Sequence, residues 1–209
     1  MNGLRGATLA VLSLCLAGCD NTPSADFEQQ VKGREAAKAG DPYGALESAI
    51  PNQAFYVRRD KDVRRDWAKG QSDIYRGAYN GLRKKLDEDK AVAAMAGDAG
   101  RFRDRCRETF SAASNFRGTS AGLSADVKAV TGALIACREE VQHRIADGKD
   151  QEAAATLSRF ASAGVVLVGM TVVGQGEEAS GLAIWRQGNE LVAKDRPGFQ
   201  INAKSFYGY

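Results

Sequence analysis

Val165-Val166-Leu167-Val168-Gly169-Met170-Thr171-Val172-Val173, bounded by Gly164 and Gly174, is the stretch on which the fold turns. β-Branched side chains lose χ1 freedom on a helix and pack well on a pleated surface, so the run reads as a buried strand. A membrane span competes with that reading, because Phe160 to Gly176 carries no charge over 17 positions. Four glycines together with Ser162, Thr171 and Gln175 give the same stretch poor helix propensity. Beyond it, Leu182 to Trp185, a turn near Gln187-Gly188-Asn189, and Leu191 to Ala193 read as a β-hairpin. Pro197-Gly198 turns again, and Phe199 to Ala203 adds an edge strand. The expected fold class is therefore α+β: a predominantly helical domain with a helical hairpin and a small C-terminal antiparallel sheet.

Upstream, the apolar period is that of helices. Ile74, Tyr75, Ala78, Tyr79, Leu82 and Leu86 recur at helical spacing after Ser72, with Lys84, Lys85, Asp87, Glu88 and Asp89 on the other side. Asp98 is placed to cap a helix carrying Phe102, Cys106 and Phe110, and the Gly/Ser-rich stretch Ser114 to Gly122 turns the chain. Ser124 then caps what reads as the longest helix, with Val127, Val130, Leu134, Cys137, Val141 and Ile145 spaced by threes and fours. Gly148 ends it, and Asp150 starts another helix with Leu157 and Phe160 inward. Nearer the N-terminus, Ala25 to Ala39 reads as a polar stalk helix ended by Gly40. Asp41-Pro42 follows as cap and first residue of a short helix with Ala45, Leu46 and Ile50, stopped by Pro51. Phe55 to Lys69 shows only a weak pattern.

At the N-terminus, Arg5 precedes an apolar run from Ala7 to Leu16, and Leu16-Ala17-Gly18-Cys19 completes it. This arrangement resembles the lipobox of bacterial lipoproteins. The resemblance implies cleavage before Cys19, acylation of its sulfur with fatty acids such as palmitate, and a third chain on the new amine. Each buried methylene adds ~0.8 kcal/mol, so several chains hold far more firmly than one. It also divides the chain into a signal peptide at 1–18, an acylated anchor, linker and stalk at 19–40, and a single periplasmic α-rich domain with a β C-terminus at 41–209. Asp20-Asn21 directly after the cysteine is similar to the retention signal of enteric lipoproteins. That likeness implies the inner membrane, facing the periplasm, with the outer membrane as the alternative.

Cys15 would leave with the signal and Cys19 would carry lipid, so the folded part keeps Cys106 and Cys137. Two thiols in an oxidising periplasm, each on the apolar stripe of consecutive helices, lead us to expect a disulfide across a helical hairpin. Closing such a loop stabilises by roughly 3–4 kcal/mol in the chain-entropy model. Two separately buried thiols are the alternative.

Catalytic signatures are weak. Glu140 and His143 form one Glu-x-x-His, but di-iron bundles need a second copy. His143 is the only histidine, so zinc and Ser-His-Asp sites are disfavoured, and no serine sits in a Gly-x-Ser-x-Gly elbow. Gly174-Gln175-Gly176 is half of a dinucleotide fingerprint, but Glu177 and Glu178 would repel the phosphates. No cofactor and no metal site are expected.

The charge is nearly balanced, with 29 Lys and Arg against 26 Asp and Glu. Basic residues alternate with acids, as in Arg58-Arg59-Asp60-Lys61-Asp62-Val63-Arg64-Arg65-Asp66, which argues against nucleic acid as a partner. Trp67, Tyr75, Tyr79 and Trp185 are either interface anchors or core. Phe206 to Tyr209 is either a recognition tail or a frayed end. The partners expected are the bilayer, through Cys19, and an envelope protein, with the chain acting as a non-catalytic binding or accessory component of an envelope complex. An inhibitor, immunity or exclusion lipoprotein and an envelope hydrolase are the alternatives. A deep pocket with convergent polar groups would point to the hydrolase, a protruding Glu177-Glu178 loop to the inhibitor, and an apolar surface patch to the accessory protein.

Overall fold

The computed structural model describes residues 35–36, 38–51, 56–57, 59–94, 97–118, 123–146, 148 and 150–195. Cys19, Asp20, Asn21 and the extended piece Phe199 to Ala203 lie outside them. The elements are α1 (Pro42–Ser48), α2 (Lys61–Glu88), α3 (Lys90–Ala93), α4 (Gly97–Asn115), α5 (Leu123–Ala146), α6 (Gln151–Gly174) and α7 (Glu178–Asp195). No strand occurs among the described residues, so the expected C-terminal sheet is corrected to helix.

The correction centres on α6. The helix begun after Asp150 does not stop at Phe160 but runs on through Val165 to Val173 for 24 residues, about 36 Å at 1.5 Å per residue. Each of the other helices touches it, and nearly all of it is buried. By length and composition it could cross a membrane, yet here it is the core of the bundle. A helix enclosed on every side has no polar stripe, so the 3.6-residue period that identifies helices is missing from its sequence. Its surroundings also decide its backbone: a strand in a core built of helices would find no ladder partner, whereas a helix satisfies its own N–H and C=O groups.

The supposed hairpin is α7, which folds back antiparallel on α6. Gly188 is no turn but a point of backbone contact: a Cβ there would lie 2.6 Å from Val166 N, and one on Gly181 would lie 2.5 Å from Val173 N. From the other side, a Cβ on Gly169 would lie 2.4 Å from Trp185 N. The connection is a Schellman turn. Gly176 takes φ +96°, its N–H donates to Val173 O at 2.9 Å, and Glu177 N–H donates to Val172 O at 3.3 Å. Gly174-Gln175-Gly176 is thus a helix terminus.

The remaining helices lie close to where the sequence puts them. Asp41 caps α1 by accepting from Gly44 N–H at 2.9 Å, with Pro42 in the first turn. α2 starts upstream of Ser72, at Lys61, and at 28 residues it is longer than the 24-residue α5. Ala68, Tyr75, Tyr79, Leu82 and Leu86 face the core, while Ile74 and Ala78, read as part of the apolar stripe, are exposed. Cys106 on α4 and Cys137 on α5 stand with Cα atoms 5.8 Å apart and sulfurs at disulfide distance. Phe160 gathers the aromatic core, stacked on Tyr79 at 4.3 Å and edge-on to Phe110 at 5.1 Å and Tyr43 at 6.0 Å.

Candidate binding groove

One buried arginine, Arg76, and two half-buried ones, Arg138 and Arg159, are the polar features most able to carry chemistry, and each ties helices together. Arg138 on α5 donates from Nη2 and Nε to the two carboxylate oxygens of Asp195 at the end of α7, at 2.6 and 3.1 Å. Ser158 Oγ donates to the same carboxylate at 2.9 Å, Gln142 Nε2 donates to it at 3.2 Å, and Ser162 Oγ also reaches it. The Asp195 side chain is only 1% exposed, so these donors replace its lost water. Asp195 thereby locks the α6–α7 hairpin at the end opposite its turn.

Arg159 on α6 donates to Glu47 at 2.9 Å and to Asp41 at 3.1 Å, fastening α1 to the core. Burial alone would pull its pKa down, but the bonds and charges of Glu47 and Asp41 outweigh that and hold it above the ordinary value. Arg76 on α2 donates to Ser114 C=O at 2.9 Å and to Thr171 Oγ1 at 2.7 Å. Burial, with the nearby Arg117 adding to it, lowers its pKa to about 10 against the opposing pull of Asp73. Arg117 donates to the same Ser114 carbonyl at 2.9 Å, so the two guanidinium groups serve the last turn of α4.

The residues singled out from the sequence separate on this framework. Glu140 accepts from Arg105 at 2.9 Å and pairs with Arg144, while Glu139 and His143 are exposed. Among the described residues no three His, Cys, Asp or Glu side chains gather closely enough to hold a metal ion. Tyr75, Tyr79 and Trp185 are core residues. Trp67 is half-buried, 5.8 Å from the Tyr56 ring, with Arg59 over its face at 4.8 Å. Of the acidic pair after α6, Glu178 is ion-paired to Arg64 at 2.8 Å and Glu177 is exposed, while Gln175 Nε2 donates to Arg117 C=O at 2.9 Å.

What remains is a concave surface that sequence reading missed. Gly40, Pro42, Ala45 and Leu46 form one wall and Ala78, Gly81, Leu82 and Lys85 the other, enclosing about 580 Å³ between α1 and α2. That volume is in the range of ligand sites. Lys85 is the one charged residue in the lining. The groove opens beside the outward side of α2, where Ile74, one turn from Ala78, is 66% exposed. A sequence signal existed in the small residues Ala45, Ala78 and Gly81, but their apposition depends on Arg159 holding α1 in place. The surface can bury an apolar segment and meet one acidic group; it presents no set of convergent polar groups for bond-breaking.

No protein-family model, curated protein or solved structure matches this chain.

Proposed function

We propose that this chain is a lipid-anchored periplasmic lipoprotein that acts as a non-catalytic binding component of an envelope complex, docking a protein partner against α2 and its groove. The observation that supports binding is the apolar groove lined by Lys85, with the exposed Ile74 one turn from Ala78 beside it. The hydrolase alternative lacks a comparable basis, since Arg76, Arg138 and Arg159, with the carboxylates that the last two meet, are engaged in tying helices together. A protruding acidic loop would favour the inhibitor alternative; of its two carboxylates Glu178 is held by Arg64 and Glu177 is exposed. The anchor rests on the resemblance of Leu16-Ala17-Gly18-Cys19 to a lipobox, and the inner-membrane address on Asp20-Asn21.

Two measurements test the reading. Radiolabelled palmitate enters the wild-type chain and not Cys19→Ala, and Asp20→Ser with Asn21→Ala moves the chain from inner- to outer-membrane fractions of a sucrose gradient. Equal labelling of the Cys19→Ala chain overturns the anchor. A wild-type chain already in the outer fraction overturns the address. For binding, a photo-crosslinking residue at Ala78 forms a protein adduct in native membranes and one at Glu139 does not; adducts at neither site overturn docking at the groove.

A further inference from the structure

We propose that Arg76 and Arg117 form a carboxylate-binding site that receives an Asp or Glu side chain from a protein partner. Only the protein nature of the partner is taken from the docking role above; Arg76 and the groove residue Ala78 stand about 200° apart around α2, so the two contacts are separate. Arg76 is 5% exposed, and its guanidinium bonds only to uncharged oxygens, Ser114 C=O and Thr171 Oγ1, while its Nε–H meets no acceptor. Arg117 donates from Nη1 to the same Ser114 oxygen. The two donating nitrogens, each 2.9 Å from it, therefore lie no more than twice that distance apart. Among the described residues no carboxylate bonds to either arginine, and Asp73, three residues before Arg76, is exposed and reaches neither. By contrast, Arg138 holds Asp195, and Arg159 holds Asp41 and Glu47. The end of α4 offers about half a negative charge against two whole positive ones. A buried charge is ordinarily paired, so the site is short of an anion.

Arg117 is exposed and supplies the contact. Its Nη1 serves the Ser114 and Phe116 carbonyls at 2.9 and 3.3 Å, which leaves the Nε and Nη2 donors without a protein partner. Those two donors form the parallel edge that a carboxylate takes with both its oxygens. Gln175 Nε2 donates to Arg117 C=O at 2.9 Å, so the backbone that carries this edge is tied to the end of α6. Arg76 adds a second positive charge a few ångströms away, partly shielded from water and so less screened than a surface charge. Burial and the Arg117 charge already pull the Arg76 pKa down to about 10, and an arriving carboxylate would relieve that crowding. Position along the core chooses between a protein and a lipid headgroup as the source of the anion. The site meets α6 at Thr171, whereas α1, which follows the segment leading to Cys19, meets it at Arg159. The stretch between them spans about 18 Å at 1.5 Å per residue, so the site stands away from the anchored end.

The test uses the full chain in native membranes. A photo-crosslinking residue at Asn115, exposed at the end of α4, should give a protein adduct whose yield falls at least tenfold in Arg117→Glu. The melting temperature of Arg117→Glu should stay within a few degrees of the wild type, because Arg76 still donates to the Ser114 carbonyl. A second arm reads the chemistry of the partner group. Arg117→Lys supplies an amine that a carbodiimide can join to a carboxylate; the amide bond forms as the carbodiimide takes up the water and leaves as a urea. Mass spectrometry should then find position 117 joined to an Asp or Glu of another protein. A link to Asp73 alone, or no link, overturns the carboxylate site, as does an Asn115 adduct that survives Arg117→Glu. A lipid adduct in place of a protein adduct overturns the choice of partner. The Ala78 reporter keeps the two readings apart: an adduct there with none at Asn115 overturns this site alone, and adducts at neither position overturn both.

Discussion

Asp195 illustrates what a single side chain can hold here. Its carboxylate is buried and takes donors from α5 and α6, so Asp195→Ala leaves the Arg138 guanidinium without its counter-ion in a site it cannot leave cheaply. Breaking such a pair from one side is expected to destabilise the chain by ~3–5 kcal/mol, whereas Arg138→Met with Asp195→Leu should recover most of that. Urea denaturation of the wild type and the two variants measures both, and a single-variant loss under ~1 kcal/mol would mean that the pair contributes little. Cys106 and Cys137 belong to the same scale. If the pair is bonded, Cys137→Ala should cost ~3 kcal/mol and lower the melting temperature by roughly 6–12 °C. A non-reducing mass spectrum of the exported protein decides the premise, since two free thiols would return both residues to the class of small buried hydrophobes. The cysteine placement was legible because each residue repeats with its helix's apolar stripe. Asp195 was not, because nothing local distinguishes a terminal aspartate that meets solvent from one that folds back onto Ser158 and Ser162.

Among the elements, α6 and α7 depend on contact between backbones. A methyl group on Gly181 would lie 2.5 Å from the Val173 amide nitrogen, an atom that cannot move without shifting the helix. Gly181→Ala is therefore expected to destabilise by ~1–3 kcal/mol, as overpacking does. Gly132 on α5 is the contrasting case. It is exposed with nothing within 4 Å of a built Cβ, so Gly132→Ala should stabilise by ~1 kcal/mol through helix propensity alone. Thermal melts of the two variants should move in opposite directions, and a stabilising Gly181→Ala would refute the close approach of α6 and α7. Both residues look alike in sequence, as glycines within apolar or mixed runs. The reading of Gly188 as a turn and of Gly164 and Gly174 as strand limits fails for the same reason: glycine marks either a bend or a contact, and only the neighbour tells which.

Over the whole molecule, the tyrosines give a pH dependence with a definite sign. Burial, reinforced by Asp89 in one case and Glu178 in the other, pushes the Tyr43 and Tyr56 hydroxyls up to about 12, and burial also raises Tyr75 and Tyr79. In the unfolded chain a tyrosine ionises near 10. The stabilisation from these raised values is therefore fully present below about pH 10 and lost as pH rises through about 12, on the order of 2–3 kcal/mol for each of Tyr43 and Tyr56. Alkaline unfolding followed by circular dichroism, with phenolate absorbance read in parallel, should show both changes together between pH 10 and 12; ionisation of all tyrosines near pH 10 without unfolding would contradict it. The far-UV spectrum at neutral pH should be that of a helical protein. What the sequence determined by itself was those helices that show an apolar stripe against a polar side: α1 with its Asp41-Pro42 start, the later turns of α2, α4 and α5 with their cysteine stripes, and the start of α6 after Asp150. A helix half in water must alternate apolar and polar residues at its own period, and that pattern can be read. Tertiary structure alone decided that Val165 to Val173 and Leu182 to Ala193 are helical, and which side of α2 remains outside. Val165 to Val173 is fully enclosed and has no period to read, whereas the buried side of α7 is built on Gly181, Gly188 and Asn189 beside Trp185 and Val192, so its stripe does not look apolar. In α6, β-branched preferences of under ~1 kcal/mol per residue yield to burial worth about 1.5–3 kcal/mol per apolar side chain and to a backbone that must satisfy its own hydrogen bonds.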